Sequence, residues 1–375
     1  MSNLKEIAQV FFKMGCFAFG GPAVHIAMME DEIVSKRKWM NHEHFLDLVG
    51  ATNLIPGPNS TEMTMHCGHE RGGWTGMFVA GICFIFPAVF ITGILAWFYV
   101  KFGELPNVKP FINGIQPAVI AIIIQAVFKL GKKAVKNVEL AIFGFIALAL
   151  NLIGVNEILS LLATAIIGSV YFFIKDKSKA NNLNPLAILL LQPLGLVATK
   201  ISTLSVFLSF FKIGAILYGS GYVLFAYLDA EFVETGIMTR TALMDAVAVG
   251  QFTPGPVLST ATFVGFQLNG FWGAIAATTG IFLPSFLLVL LLNPLIPKMR
   301  KSTILKHFLN LMSVGAVALM LAVILKMGTT SLLEVKNAVI FIISLVLVLF
   351  VKKVNAMHIV LIGSILGYIL SLVNL

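Results

Sequence analysis

Residues 52–62 read Thr-Asn-Leu-Ile-Pro-Gly-Pro-Asn-Ser-Thr-Glu, and residues 250–260 read Gly-Gln-Phe-Thr-Pro-Gly-Pro-Val-Leu-Ser-Thr. Each Pro-Gly-Pro triplet lies inside a largely apolar segment. Neither triplet can continue a helix, because both prolines lack a backbone N–H and the glycine between them can turn. The sequence therefore predicts two helix breaks, formed by Pro56, Pro58, Pro254 and Pro256.

The composition places the chain in a membrane. Of its 375 residues 58% are hydrophobic and 11% are charged, and the mean hydropathy is +0.94. Soluble globular chains of this length do not show such values. The net charge of +9 comes largely from basic residues between apolar runs, as expected for cytoplasmic loops and not for a nucleic-acid surface. We expect the lipid bilayer as a partner and no nucleic acid, and we leave assembly into a homo-oligomer open.

Twelve apolar stretches are long enough to be candidate membrane segments. They are 7–29, 43–68, 74–100, 110–130, 138–155, 157–174, 203–228, 241–268, 271–297, 304–327, 335–351 and 356–373. The predicted fold is an all-α polytopic membrane protein with a first membrane repeat at 1–174 and a second at 203–375. The polar start of residues 175–202 is typical of a linker, and the shorter apolar piece at 185–200 leaves open whether the linker spans the membrane.

The two halves align with each other. Phe11-Phe12-Lys13-x-Gly15 matches Phe210-Phe211-Lys212-x-Gly214 at an offset of 199, and the two Pro-Gly-Pro triplets match at an offset of 198. Pro87 then matches Pro284 after one more deletion. Internal duplication of this kind is common in secondary transporters, whose binding sites lie between the repeats.

Loop charges indicate how the repeats insert. In the first half basic residues collect at 129–136, whereas in the second they collect at 298–306, which is the alternate loop. Because cytoplasmic loops carry the excess of lysine and arginine, the halves are predicted to have inverted topology. This requires that each Pro-Gly-Pro segment enters and leaves the membrane on one side.

Paired helix breaks at membrane depth mark a binding site, because bare backbone is tolerated there only against protein or a water-filled cavity. The helix after each break begins with unpaired amides and the positive end of its dipole, which suit an anion. The predicted amide donors are those of Asn59, Ser60 and Thr61 and those of Val257, Leu258 and Ser259. A plain structural kink without a ligand is the alternative.

Side chains and glycines near the breaks complete the predicted anion site. Its residues are Lys13, Gly20, Gly21, Asn53, Gly57, Asn59, Ser60, Thr61, Lys212, Gly219, Ser220, Gln251, Thr253, Gly255, Ser259 and Thr260. The glycines at 20–21 and 219 either let the backbone approach the ligand or allow close helix packing.

Two aligned lysines are predicted to supply charge. Lys212 lies nine residues into the apolar run that begins near 203, about 14 Å deep in a hydrocarbon layer of roughly 30 Å. An ammonium group at that depth needs a partner, a water cavity or an anion. Its counterpart Lys13 either does the same or extends to a polar interface. Together the lysines could balance one dianion between the helix ends.

Three carboxylates are candidates for coupling anion transport to the movement of another ion. Asp47 and Asp245 each precede their Pro-Gly-Pro by nine residues, about 13 Å along a helix, so they are either solvated near a membrane face or neutralise the lysines of an empty site. Glu62 has Thr260 at its counterpart position. A carboxylate one turn from an anion would repel it, so Glu62 is either a protonation site that couples proton to anion movement or a complement to the helix start.

The motifs resemble those of the chromate ion transporter family in its long, two-domain form. In the first half the resemblance rests on Phe19-Gly20-Gly21-Pro22, on Val34-Ser35-Lys36-Arg37-Lys38-Trp39 and on Pro56-Gly57-Pro58-Asn59-Ser60-Thr61. In the second half it rests on Gly250-Gln251-x-Thr253-Pro254-Gly255-Pro256 and on Phe282-Leu283-Pro284-Ser285-Phe286. The resemblance implies a secondary transporter of the plasma (inner) membrane that exports chromate, a tetrahedral dianion close to sulfate in shape.

Two other functions stay open. The first is transport of another oxyanion, such as sulfate, in the same fold. The second is an intramembrane metal-dependent enzyme that uses His66, Cys67 and His69, although these offer only two nitrogens and one sulfur. The sequence contains no nucleophile–base constellation, phosphate loop or cofactor motif, so we expect no enzymatic activity and no cofactor.

Overall fold

The computed structural model describes residues 2–18, 22–52, 55–105, 107–177, 202–218, 221–292, 302–332, 334–351 and 354–372. The first repeat contains α1 (Ser2–Phe17), α2 (Pro22–Met29), α3 (His42–Thr52), α4 (Asn59–Phe102), α5 (Lys109–Ala134), α6 (Val138–Leu152) and α7 (Glu157–Lys177). The second contains α8 (Thr203–Ile216), α9 (Leu224–Leu228), α10 (Arg240–Phe252), α11 (Thr260–Leu292), α12 (Thr303–Ser331), α13 (Val335–Phe350) and α14 (Ala356–Leu372). Five of these helices are long and apolar enough to cross a membrane. The chain is a multi-pass α-helical membrane protein, as predicted.

The first segment of each repeat is a broken hairpin and not one straight helix. In the first repeat α2 continues into a π-helical turn, Glu30–Lys36, and Arg37 Nη1 then donates to Glu6 Oε1 at 2.8 Å. Both ends of the candidate segment 7–29 therefore lie close together, as in a hairpin that enters and leaves on one side.

The counterpart segment, 203–228, folds in the same way. A π-helical turn over Asp229–Val233 follows α9, and Ser209 Oγ donates to Glu231 Oε1 at 2.7 Å. The chain after α9 thus returns along α8.

Each Pro-Gly-Pro triplet is the tip of a second hairpin. Near the start of α3, His44 Nε2 lies 3.2 Å from Glu70 Oε2, and Glu70 follows the triplet in sequence. The chain thus enters toward the triplet along α3 and comes back along the first arm of α4. A left-handed Gly73 (φ +60°) then turns α4 into its long second arm.

Helix α11 repeats this turn at Asn269 and Gly270, where Gly270 has φ +58°. Small residues let the two arms of each hairpin pack closely. A Cβ built on Gly68 would lie 2.4 Å from the Gly76 carbonyl oxygen, and one on Gly265 would lie 2.3 Å from that of Gly273.

The long arm of α4 connects two polar clusters. It begins beside Glu6, which accepts from Arg71 Nη2 at 3.1 Å. Near its far end the Tyr99 hydroxyl donates to Asp245 Oδ2 at 2.6 Å, in the second repeat. The helix therefore runs from the hairpins of the first repeat to those of the second.

Candidate functional site

The two breaks are tied to each other's repeats by backbone hydrogen bonds. The amide of Gly57 donates to the carbonyl of Leu217 at 2.7 Å, and the amide of Gly255 donates to the carbonyl of Ala18 at 2.9 Å. Leu217 and Ala18 follow the first helix of their repeats and align at the offset of 199. Each Pro-Gly-Pro break therefore contacts the residue that follows the first helix of the other repeat. These contacts lie where the two repeats meet.

Both glycines have backbone conformations that favour glycine. Gly57 has φ +137° and Gly255 has φ +88°. Residues with a Cβ rarely adopt these angles. The Pro-Gly-Pro sequence is needed at these positions because the chain must end one helix and turn within a few residues.

The helix starts offer fewer amide donors than predicted. The amide of Thr61 donates to the Pro58 carbonyl at 2.8 Å, and that of Ser259 donates to the Pro256 carbonyl at 2.9 Å. A tight turn at each helix start thus uses the third of the three predicted donors. The expectation that these two amides point unpaired into the break is wrong.

Buried hydroxyls surround the breaks and link the repeats. Thr92, on the long arm of α4, lies 3.3 Å from Thr253 Oγ1 and 3.2 Å from Ser259 Oγ. The Thr253 hydroxyl proton is used on the Val249 carbonyl at 2.6 Å. Thr92 therefore places a first-repeat hydroxyl against the second break.

Two predicted site residues keep unused donors. Gln251 Nε2 and Thr61 Oγ1 are buried without a hydrogen-bond partner. A buried donor left unpaired costs about 1–3 kcal/mol, so such groups in a native fold require an explanation. A bound oxygen-rich anion would satisfy them.

Glu62 is fully buried, and neither of its carboxyl oxygens has a hydrogen-bond partner. Its Oε1 lies 2.2 Å from the position that a Cβ on Gly57 would take. The carboxyl group therefore contacts the first break directly. Glu62 also lies in the first turn of α4, where an ionised carboxylate would complement the positive end of the helix dipole without a hydrogen bond.

The lysines are not among the buried groups at the breaks. Lys13 is exposed on α1, and Lys212, with a half-exposed side chain, forms an ion pair with Glu231. Lys212 lies within α8, nine residues after Thr203, and Glu231 is the partner that an ammonium group in an apolar run requires. Nothing in the described residues supports two lysines that share one dianion.

The two aspartates differ. Asp47 is exposed, whereas Asp245 is buried and accepts hydrogen bonds from Tyr99 Oη at 2.6 Å and from Gln116 Nε2 at 3.3 Å. Asp245 is therefore neither solvated nor paired with Lys212. It joins α10 to the first repeat.

The remaining predicted site residues either lie at the helix starts or fall outside the described residues. Ser60 and Thr260 are buried at the starts of α4 and α11, and Asn59 is half-buried. Gly20, Gly21, Asn53, Gly219 and Ser220 lie outside the described residues, as does the segment 185–200. In the described ranges no three His, Cys, Asp or Glu side chains come close enough to hold a metal ion. His69 instead packs against Trp74.

Three buried polar residues at the interface were not predicted from the sequence. His25 Nε2 donates at 3.0 Å to the Ala18 carbonyl, the same oxygen that receives the Gly255 amide. Thr92 and Ser285 lie within the long arms of α4 and α11 and are fully buried. Each is a polar residue in a largely apolar stretch, one to five positions after Pro22, Pro87 or Pro284, and that pattern was the available signal.

Comparison with known proteins places this fold in a family. The family described as Chromate transporter matches the chain twice, over residues 5–169 and 204–368. The chain belongs to the chromate transporter family. Its two matches are displaced by 199 residues at both ends, the offset by which Ala18 aligns with Leu217.

Several members of the chromate transporter family are similar over most of their length. A probable chromate transport protein of Synechococcus elongatus is 30% identical, covering 92% of this chain and 89% of the relative. A chromate transport protein of Cupriavidus metallidurans is 27% identical, covering 98% and 93%. One of Pseudomonas aeruginosa is 28% identical, covering 82% and 77%. No solved structure matches the chain.

Proposed function

We propose that the protein is a secondary transporter that exports chromate across the plasma membrane and also accepts sulfate. The relatives named as chromate transport proteins support chromate as the substrate. The unused donors of Gln251 and Thr61 at the crossed breaks carry the assignment of the site. Neutral donors in a dry site suit a tetrahedral oxyanion, since each oxygen accepts hydrogen bonds.

Export agrees with the electrical driving force. In a cell with a negative interior, outward movement of a dianion is favoured by about 5 kcal/mol per 100 mV. The transporter therefore needs a neutral or partly neutral path, and not fixed lysines that would hold the anion. The buried polar groups of the described residues include no lysine or arginine.

Inverted insertion of the repeats gives this site access from either side. It is supported by the two hairpins of each repeat and by the long arm of α4, whose ends contact Glu6 through Arg71 and Asp245 through Tyr99. The crossed bonds of Gly57 and Gly255 are related by the same pseudo-symmetry. Alternating access then requires the paired breaks to separate on one side at a time.

The test is chromate uptake into proteoliposomes under an imposed membrane potential. Gln251→Leu and Thr61→Val should each slow uptake about tenfold or more, because each removes one unpaired donor at the breaks. Thr279→Val is the matched control, since the Thr279 hydroxyl is exposed and donates to its own helix. Competition by sulfate, molybdate and phosphate identifies the preferred oxyanion. Equal rates in all variants would contradict the assignment of the site, and no uptake by the parent protein would contradict the function.

A further inference from the structure

The two breaks align, but their side chains differ. Glu62 of the first break corresponds to Thr260 of the second, at the offset of 198 that superposes the Pro-Gly-Pro triplets. Ser285, the residue after Pro284, corresponds to Ala88, the residue after Pro87. An acid and a hydroxyl therefore occur together at one break only.

Glu62 and Ser285 converge on the same point. A Cβ built on Gly57 would lie 2.2 Å from Glu62 Oε1 and 2.4 Å from Ser285 Oγ. Both side chains are fully buried, and neither has a hydrogen-bond partner. At the second break the same construction on Gly255 meets the methyl group of Ala88 at 3.0 Å. The glycine of the first break thus has an acid and a hydroxyl against it, where the glycine of the second has a methyl group.

Among the described residues no lysine or arginine forms an ion pair with Glu62, whose carboxyl oxygens have no hydrogen-bond partner. From the second repeat the buried Tyr218 interacts with Glu62. On its own helix His66, one turn further, is also buried. A carboxylate that is desolvated and uncompensated favours its protonated form.

The hydroxyl-rich second break is the better place for the anion. Thr92, Thr253 and Ser259 are adjacent there. An ionised Glu62 in the same enclosed interface would repel a dianion strongly, because the interior screens charge poorly. Binding of the proton and binding of the anion should therefore favour each other.

We propose that Glu62 and Ser285 form a proton site at the first break, which takes up one proton from water when an oxyanion binds at the second break. This inference rests on the proposed function. The protonated carboxyl group donates its hydrogen bond to Ser285 Oγ after a small side-chain rotation. The proton lowers the transported charge from two to one, so outward movement still follows the membrane potential.

Equilibrium binding of radiolabelled chromate to the purified full-length protein tests this, between about pH 7 and pH 9, where chromate is mainly the dianion. If one proton is taken up with the anion, the affinity of the parent protein for chromate should fall about tenfold for each pH unit above the midpoint. Glu62→Gln mimics the protonated acid and should bind with no pH dependence. Ser285→Ala, which copies Ala88, should move the midpoint about one unit lower, because the neutral acid loses its partner.

The control is Thr260→Val, at the position that corresponds to Glu62, which should weaken binding but keep the parent's slope. All variants are first checked for a single symmetric peak in size-exclusion chromatography. A parent slope retained in Glu62→Gln, or no binding by well-folded Glu62→Gln, would overturn the proton site. Chromate binding by the parent with no pH dependence would also overturn it and leave the proposed function intact. Absence of any chromate binding by the parent would instead refute the proposed function.

Discussion

The backbone amide of Gly57 donates a 2.7 Å hydrogen bond to the carbonyl of Leu217, the residue that ends α8 of the other repeat. Gly255 makes the corresponding bond to Ala18 at 2.9 Å. Neither bond can rearrange alone without exposing a buried donor and a buried carbonyl, which is costly. The two breaks therefore act as one unit, and opening a path to the site must break or exchange these bonds.

The first prediction concerns the glycines of the breaks. Gly57→Ala and Gly255→Ala should abolish transport without preventing membrane insertion, because the new Cβ strains the backbone and contacts Glu62 or Ala88. Gly154→Ala is the matched control: it has φ +89° but open space around the new Cβ. The measurements are the rate of chromate uptake and the amount of each of the three variants in the membrane. Full activity of both the Gly57 and the Gly255 variant would show that the motif is only a structural kink.

The second prediction concerns the sidedness of the repeats. Lys136, after α5, donates to Asn310 near the start of α12, whereas Lys326 near the end of α12 pairs with Glu234. The two ends of α12 thus lie beside different loops. Cysteines at Lys132 or Lys133 should be labelled from the cytoplasm, and those at Lys326 or Lys336 from outside. Labelling of both loops from one side would contradict inverted insertion.

The breaks and the repeat could be predicted from sequence, whereas their partners could not. Two prolines around a glycine exclude a helix whatever surrounds them. By contrast, which carbonyl receives the Gly57 amide depends on how the repeats pack, and nothing near Gly57 in sequence indicates Leu217. Residue counting along α8 likewise could not indicate the partner of Lys212, because Glu231 lies on the π-helical turn that follows α9.

A third prediction follows from the positions of two helix ends. Near the end of α7, Asp176 accepts from His307 at the start of α12. At the start of α8, the Thr203 hydroxyl accepts from Asn269 at the turn of α11. These partners belong to opposite ends of the second repeat, so Asp176 and Thr203 should be labelled from opposite sides of the membrane. Labelling of both from the same side would contradict this arrangement.

A fourth prediction concerns the buried carboxyl group of Asp245. Asp245→Leu should lower the free energy of unfolding by about 2 kcal/mol or more, because Tyr99 and Gln116 would lose their acceptor. Asp245→Asn keeps one oxygen as an acceptor and should cost less. Thermal unfolding in detergent gives the comparison, with the exposed counterpart Asp47→Leu as control. An equal effect at both positions would show that burial of Asp245 does not matter.

The last prediction separates a structural lysine from one that contacts the substrate. Lys212 pairs with Glu231, which also accepts from Ser209. If the pair only joins α8 to the π-helical turn, Lys212→Gln should change chromate uptake by less than about twofold. Any loss should be restored in the Lys212→Gln, Glu231→Gln double variant, because that protein has no unpaired charge. Lys13→Gln, on the exposed face of α1, is the companion variant. Severe loss of uptake in both single lysine variants, with no recovery in the double variant, would indicate that the lysines contact the anion.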